Sequence, residues 1–223
     1  MGEWIPSLTT ALGPVRAWRA RPERPSRGGV IVVQEIFGVN PHIRAVAERF
    51  AEAGFTALAP AMFDVLRPDV ELRYDDGGII RGRELVSELG FDGALSIVSA
   101  AAHWLREAGH NVGVVGFCWG GTVAFLSCTR LSLPAVDYYG ARSVPFLGEP
   151  ARAPLMCHFG ELDASIPPAD VTLHRQKQPQ ARIFVYPGAD HAFNRDVDPR
   201  VYHPQAAALA WQRTVDFLAE HLR

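Results

Sequence analysis

Val112-Gly-Val-Val-Gly-Phe-Cys118-Trp-Gly-Gly-Thr-Val-Ala-Phe-Leu126 reads as a buried strand that turns at once into a helix, with a cysteine at the corner. The spacing Gly116-x-Cys118-x-Gly120 is that of a nucleophile elbow, with cysteine where serine is commoner. Small residues two before and two after the cysteine are a steric need. The tight turn brings backbone so close that a side chain at either place would collide with it. A short motif of this kind also fits a small buried cysteine in a glycine-rich turn. The flanking chain has to decide between the two.

Working outward, strands and helices alternate. Val15 to Ala20 is expected as a short edge strand, and Gly29-Val-Ile-Val-Val33 as a buried parallel strand. Asn40-Pro41 supplies a cap and a first-turn proline for a helix with Ile43, Val46, Ala47 and Phe50 on one face, ending at Gly54. A strand follows at Phe55 to Pro60, then an irregular loop from Ala61 to Gly78, the kind that covers a site. Asp92 is read as the cap of a helix reaching about Ala108, and the elbow helix as running to about Arg130. Further strands are expected at Ala135 to Tyr139, Pro154 to Phe159 and Ala181 to Tyr186, with helices at Pro168 to Gln178 and Pro204 to Leu222. Such alternation implies a mostly parallel central sheet with helices on both faces. Reactive groups in such sheets gather where strands end, so partners for Cys118 should lie just after strands.

Two stretches meet that condition. Gly160-Glu-Leu-Asp163 follows one strand and Asp190-His191 follows the next. The order Cys118, Asp163, His191 is the nucleophile–acid–histidine order of the α/β-hydrolase fold. In that arrangement His191 takes the thiol proton and later protonates the leaving oxygen, while Asp163 fixes the ring tautomer. Glu161 and Asp190 are rival carboxylates. Glu161 lies closer to the strand end, and adjacency aims Asp190 poorly at His191, so Asp163 is preferred. His158 is expected to pack within its strand. His42, His103, His110, His174, His203 and His221 are read as helix or loop surface, and Cys128 and Cys157 as core thiols.

The bulk properties narrow the class. The 223 residues suit one domain, spanning 1–223, with 48% hydrophobic and 21% charged residues. Twenty-two basic residues against 24 acidic ones, a net charge of −2, do not suggest nucleic acid or an acidic membrane as a partner. Three cysteines without CxxC spacing argue against a disulfide framework and a zinc site, so no metal and no cofactor are expected. Met1 to Pro6 lacks the regions of a signal peptide, Pro6 breaks the myristoylation pattern, and no apolar stretch reads as membrane-spanning. A monomer in a reducing cytoplasm is the expectation.

With these residues in place, the chain resembles the dienelactone hydrolase family over about residues 12 to 220. The marks are Gln34-Glu35-Ile36-Phe37-Gly38, Gly116 to Gly121, Tyr138-Tyr139-Gly140, Gly160 to Asp163 and His191-Ala-Phe-Asn-Arg195. The resemblance implies that Glu35 helps take the thiol proton, and that the N–H groups of Ile36 and Trp119 form the oxyanion hole. It also implies that Arg195, with an arginine of the 61–90 region, binds a substrate carboxylate, and that Phe37 and Tyr139 line the substrate. Arg81 is the first choice for that second arginine, with Arg73 and Arg83 as alternatives. The expected activity is opening of a dienelactone-type lactone or a small ester through an acyl-enzyme. The alternatives are a broader carboxylesterase or thioesterase, and a non-catalytic ligand-binding or redox-sensing module.

Overall fold

Five consecutive buried residues, Gly29–Val33, form a strand of the N-terminal half that no face leaves to solvent. The computed structural model describes residues 2–222. It divides into one compact unit that runs up to Gly113 and takes in Leu222, and a second comprising Val114–His221.

The first unit holds strands β1 (Glu3–Thr10), β2 (Gly13–Ala20), β3 (Gly29–Val33) and β4 (Thr56–Pro60), in the order β1-β2-β4-β3. β3 and β4 pair in parallel from Gly29↔Thr56 to Ile31↔Leu58. Helix α1 (Pro41–Glu52) joins them, with the Asn40 side chain accepting the Ile43 N–H at 3.1 Å and Pro41 in its first turn. Its Ile43, Val46, Ala47 and Phe50 are fully buried, the three larger side chains each contributing roughly 1.5–3 kcal/mol.

Several features differ from the reading of the sequence. β2 is not an edge strand, because it pairs antiparallel with both β1 and β4. β1 escaped notice because its register shifts between Ile5 and Leu8, where Pro6 has no N–H to offer, so its buried residues fall three apart rather than two. Helix α2 (Asp76–Glu107) starts earlier than expected, capped by Asp75, whose carboxylate accepts the Gly78 N–H at 2.9 Å. Gly90 (φ 65°, ψ 172°) breaks α2, so Asp92 lies inside its second segment instead of capping it. By length and a mean hydropathy of 1.3 this helix reaches what a bilayer span needs, against expectation. Half of that apolar window is buried within the protein, and the break at Gly90 interrupts it.

The second unit begins within β5 (Val112–Phe117) and continues through α3 (Trp119–Leu131), β6 (Ala135–Tyr138), β7 (Leu155–Gly160), α4 (Pro168–Lys177), β8 (Arg182–Tyr186) and α5 (Pro204–His221). The strand order β5-β6-β7-β8 is wholly parallel, with Gly116↔Asp137 and Asp137↔Cys157 in register. Two histidines read as surface are buried instead. His42 lies on the inner face of α1, and His174 Nδ1 donates to the Asp170 carbonyl at 2.7 Å while its ring meets Phe159 edge-on. His158 is wholly buried, bonded to Tyr186 Oη at 2.8 Å and Thr214 Oγ1 at 3.1 Å. Burial pushes its pKa down to about 3, with the Arg213 charge adding to the effect, so the ring stays neutral.

Candidate active site

Cys118 sits between β5 and α3 at φ 57°, ψ −118°, a conformation that only a well-braced backbone imposes on a residue with a Cβ. Bracing comes from both sides: the Cys118 N–H donates to the Tyr138 carbonyl and its own carbonyl accepts the Gly121 N–H, each at 2.9 Å. A Cβ on Gly116 would overlap the Gly120 carbonyl, and one on Gly121 would overlap the Asp137 carboxyl. The strain is therefore built into sequence that permits no bulk. Gly116→Ala is expected to destabilise the protein by about 3 kcal/mol or more, read as a lower urea midpoint at unchanged slope.

Asp163 and His191 leave the ends of β7 and β8. Gly160 lets the two loops touch, because a Cβ there would press on the Ala189 and Asp190 carbonyls. The Leu162 N–H donates to Ala189 O at 2.9 Å, stitching the acid's loop to the histidine's. Asp163 is buried and uses both carboxylate oxygens. Oδ1 accepts the Ser165 N–H at 2.8 Å, and Oδ2 lies 2.7 Å from His191 Nδ1. The two rivals are engaged elsewhere: Glu161 accepts the Gly188 N–H at 2.9 Å and Asp190 the His191 backbone N–H at 2.6 Å.

His191 is hydrogen-bonded to Cys118 as well as to Asp163. With Nδ1 facing Asp163, the ring's remaining nitrogen is the one available to the sulfur. Burial works against a charged ring here, but the Cys118 sulfur and the Asp163 carboxylate outweigh it and hold the imidazole well above its ordinary range. Cys118 is the only partly exposed cysteine among the described residues, Cys128 and Cys157 being buried. Tyr139, itself at φ 45°, lays its ring 5.1 Å from His191 and 5.4 Å from Phe193, whose side chain anchors the loop beyond the histidine.

Arg195 is almost fully buried, with its guanidinium 3.6 Å from Asp198, which also binds Arg200 at 2.8 and 2.9 Å. In the first unit, Glu35 has no exposed surface and Ile36 and Phe37 are buried, Phe37 packing edge-on against Tyr74. Helix α2 presses on this segment at Gly82, where a Cβ would overlap the Ile36 carbonyl. Arg81 pairs with Glu84 at 2.6 Å on α2, Arg73 with Asp75 at 3.3 Å, and Arg83 is exposed. Asp137 is a further buried acid beside the elbow. Its signal was a carboxylate within the otherwise apolar strand Ala135-Val-Asp-Tyr138, where an acid needs a reason.

The fold is that of an α/β hydrolase, a mostly parallel sheet with its helices. The chain belongs to the dienelactone hydrolase family, whose model it matches over residues 15–222. It is 37% identical over 213 residues to a Synechocystis protein named "Putative carboxymethylenebutenolidase", covering 87% of this chain and 86% of that one. An Escherichia coli K12 protein of the same name is 34% identical over 227 residues, covering 92% and 82%. Among solved structures, one titled "Putative Dienelactone Hydrolase" from Klebsiella pneumoniae superposes with a TM-score of 0.84 at 31% identity, covering 99% of each chain. Membership makes this chain a hydrolase of the lactone and ester type.

Proposed function

We propose that Cys118, His191 and Asp163 are the nucleophile, base and orienting acid of a lactone or small-ester hydrolase, with a dienelactone-type substrate. The observation that carries this reading is the unbroken chain from a strained, partly exposed cysteine through His191 to a buried carboxylate 2.7 Å from Nδ1. The thiolate attacks the carbonyl carbon, and the resulting oxyanion rests on the N–H of Trp119, in the first turn of α3, with the N–H of Ile36 keeping the second-donor role that the family resemblance implies. Collapse expels the leaving oxygen, protonated by the His191 imidazolium, and leaves a thioester on Cys118. Water activated by His191 then releases the acid. An enol leaving group suits a thiol nucleophile, because once expelled it converts to a ketone and does not return. Glu35 retains the role the family resemblance implies, a further acceptor for the thiol proton, supported by its complete burial beside a buried Ile36.

One observation favours a broader esterase as the second reading. Arg195 already faces Asp198, so part of its charge is answered within the protein. Arg195→Ala separates the two. For an anionic substrate, KM is expected to rise about tenfold or more, since a hydrogen bond to a charged group is worth about 1.5–3 kcal/mol, while KM for a neutral aryl ester stays within about twofold. Equal losses on cis-dienelactone and the neutral ester would leave the broader esterase as the better account.

A further inference from the structure

Asp137 is a wholly buried carboxyl on β6, in register with Gly116 of the elbow strand on one side and Cys157 on the other. Two glycines make room for it, because a Cβ on either Gly121 or Gly140 would overlap its oxygens. Its Oδ1 accepts the Gly140 N–H at 2.7 Å, directly after Tyr139, the residue held at φ 45°. Its Oδ2 lies 3.4 Å from Ser143 Oγ. That hydroxyl has a single hydrogen and three oxygen neighbours, the others being the Gly140 carbonyl at 3.0 Å and Thr122 Oγ1 at 3.3 Å. Thr122 belongs to α3 and itself accepts the Arg142 N–H at 3.2 Å. When the Ser143 hydrogen goes to its shortest partner, Asp137 Oδ2 faces a lone pair unless it carries a hydrogen of its own.

We propose that Asp137 is a positioning residue: with a hydrogen on its own carboxyl it locks the Tyr139–Gly140 corner beneath the first turn of α3, and so keeps the Tyr139 ring against His191 opposite Cys118. The proposal rests on the reading of Cys118 and His191 as the reacting pair. Holding a non-glycine residue at positive φ is unfavourable and needs a neighbour that over-determines it, which the Gly140 bond supplies. Burial pushes the Asp137 pKa up to about 7, against the Gly140 N–H, the Ser143 hydroxyl and the His191 charge. The titratable groups facing it are Cys157 across the β6–β7 pair and His191 in the loop after β8, while α3 and the corner present neutral Gly121, Thr122, Gly140 and Ser143. Ionisation therefore leaves a charge beside the corner and strengthens the hold of His191 on its proton, withdrawing the base that deacylation needs. The raised pKa gives a matching sign for stability. Relative to an unfolded value of about 3.9, the contribution of Asp137 is complete at lower pH and is lost as pH rises through about 7.

The test compares wild type, D137N and D137A by the pH dependence of hydrolysis of a neutral aryl ester and of Cys118 alkylation by iodoacetamide. D137N offers an acceptor to Gly140 and a permanent hydrogen to Ser143, so it mimics the protonated acid and keeps the test open if D137A does not fold. The ratio of wild-type to D137N kcat should fall at least threefold between pH 6 and 8.5, and the thermal midpoint of D137N should gain on wild type between about pH 4 and 7. Where D137A folds, its kcat should drop at least tenfold. A changed alkylation profile in D137N, alongside hydrolysis that survives Cys118→Ala, would keep Asp137 and remove Cys118 as the nucleophile. Superimposable wild-type and D137N profiles on both readouts, or a D137A kcat within twofold of wild type, would overturn the proposal.

Discussion

Replacing Cys118 with alanine is expected to lower kcat on small esters by at least about 10⁴-fold, with KM little changed. The methyl group keeps the Cβ that the elbow accommodates at φ 57°, so the corner itself is spared and only the sulfur is lost. No other thiol can replace it, since Cys128 and Cys157 are buried and burial raises the pKa of both. Iodoacetamide should reproduce the loss in wild type with a single alkylated site. The check is steady-state kinetics on C118A with circular dichroism to establish that the fold is intact. Because the cysteine and histidine act as one unit, C118A combined with His191→Ala should be no slower than C118A alone.

Asp163→Asn is expected to cost about 10³–10⁴-fold in kcat, nearly as much as removing the nucleophile. The amide has the size of the carboxylate, and its oxygen can still accept the Ser165 N–H. Its NH₂ would then face His191 Nδ1, forcing the tautomer that puts a hydrogen between the ring and Cys118. It also removes one of the two negative partners that hold the imidazole above its ordinary range. A histidine with a raised folded pKa contributes stability that is complete below its unfolded value of about 6.5 and is lost as pH rises through the folded one. In D163N that contribution shrinks, so the excess stability of wild type over the variant should narrow as pH climbs above neutrality. Alkylation of Cys118 should be slower in the variant, because the histidine beside the sulfur loses the carboxylate that supports its charge. The pH dependence of alkylation and of the urea midpoint in both proteins checks this.

The elbow was legible because sterics writes it into glycines: Gly116 and Gly121 stand where a Cβ would meet backbone or the Asp137 carboxyl. Asp163 and His191 were legible because a parallel sheet puts strand ends together, and apolar runs mark those ends. What stayed hidden depends partly on local caps and bulges and partly on contacts between segments distant in sequence. The capping bond that starts α2 at Asp76 is invisible beneath Gly77-Gly78, which reads as loop. The bulge that carries Pro6 disguises β1 by breaking its alternation. His42 and His174 look like surface residues because their helical segments are polar, yet the ring of His174 is enclosed against Phe159. The preference for Asp163 over Glu161 and Asp190 rested on spacing, whereas the structure distinguishes them by what each carboxylate already accepts.

The most direct measurement is the intact mass of the protein, with peptide mapping, after acid quench during turnover of a slowly deacylating ester. Wild type is expected to carry one acyl group on the peptide containing Cys118, and C118A none. An adduct on another residue, or C118A turning over at the wild-type rate, would contradict the assignment of Cys118 as the nucleophile.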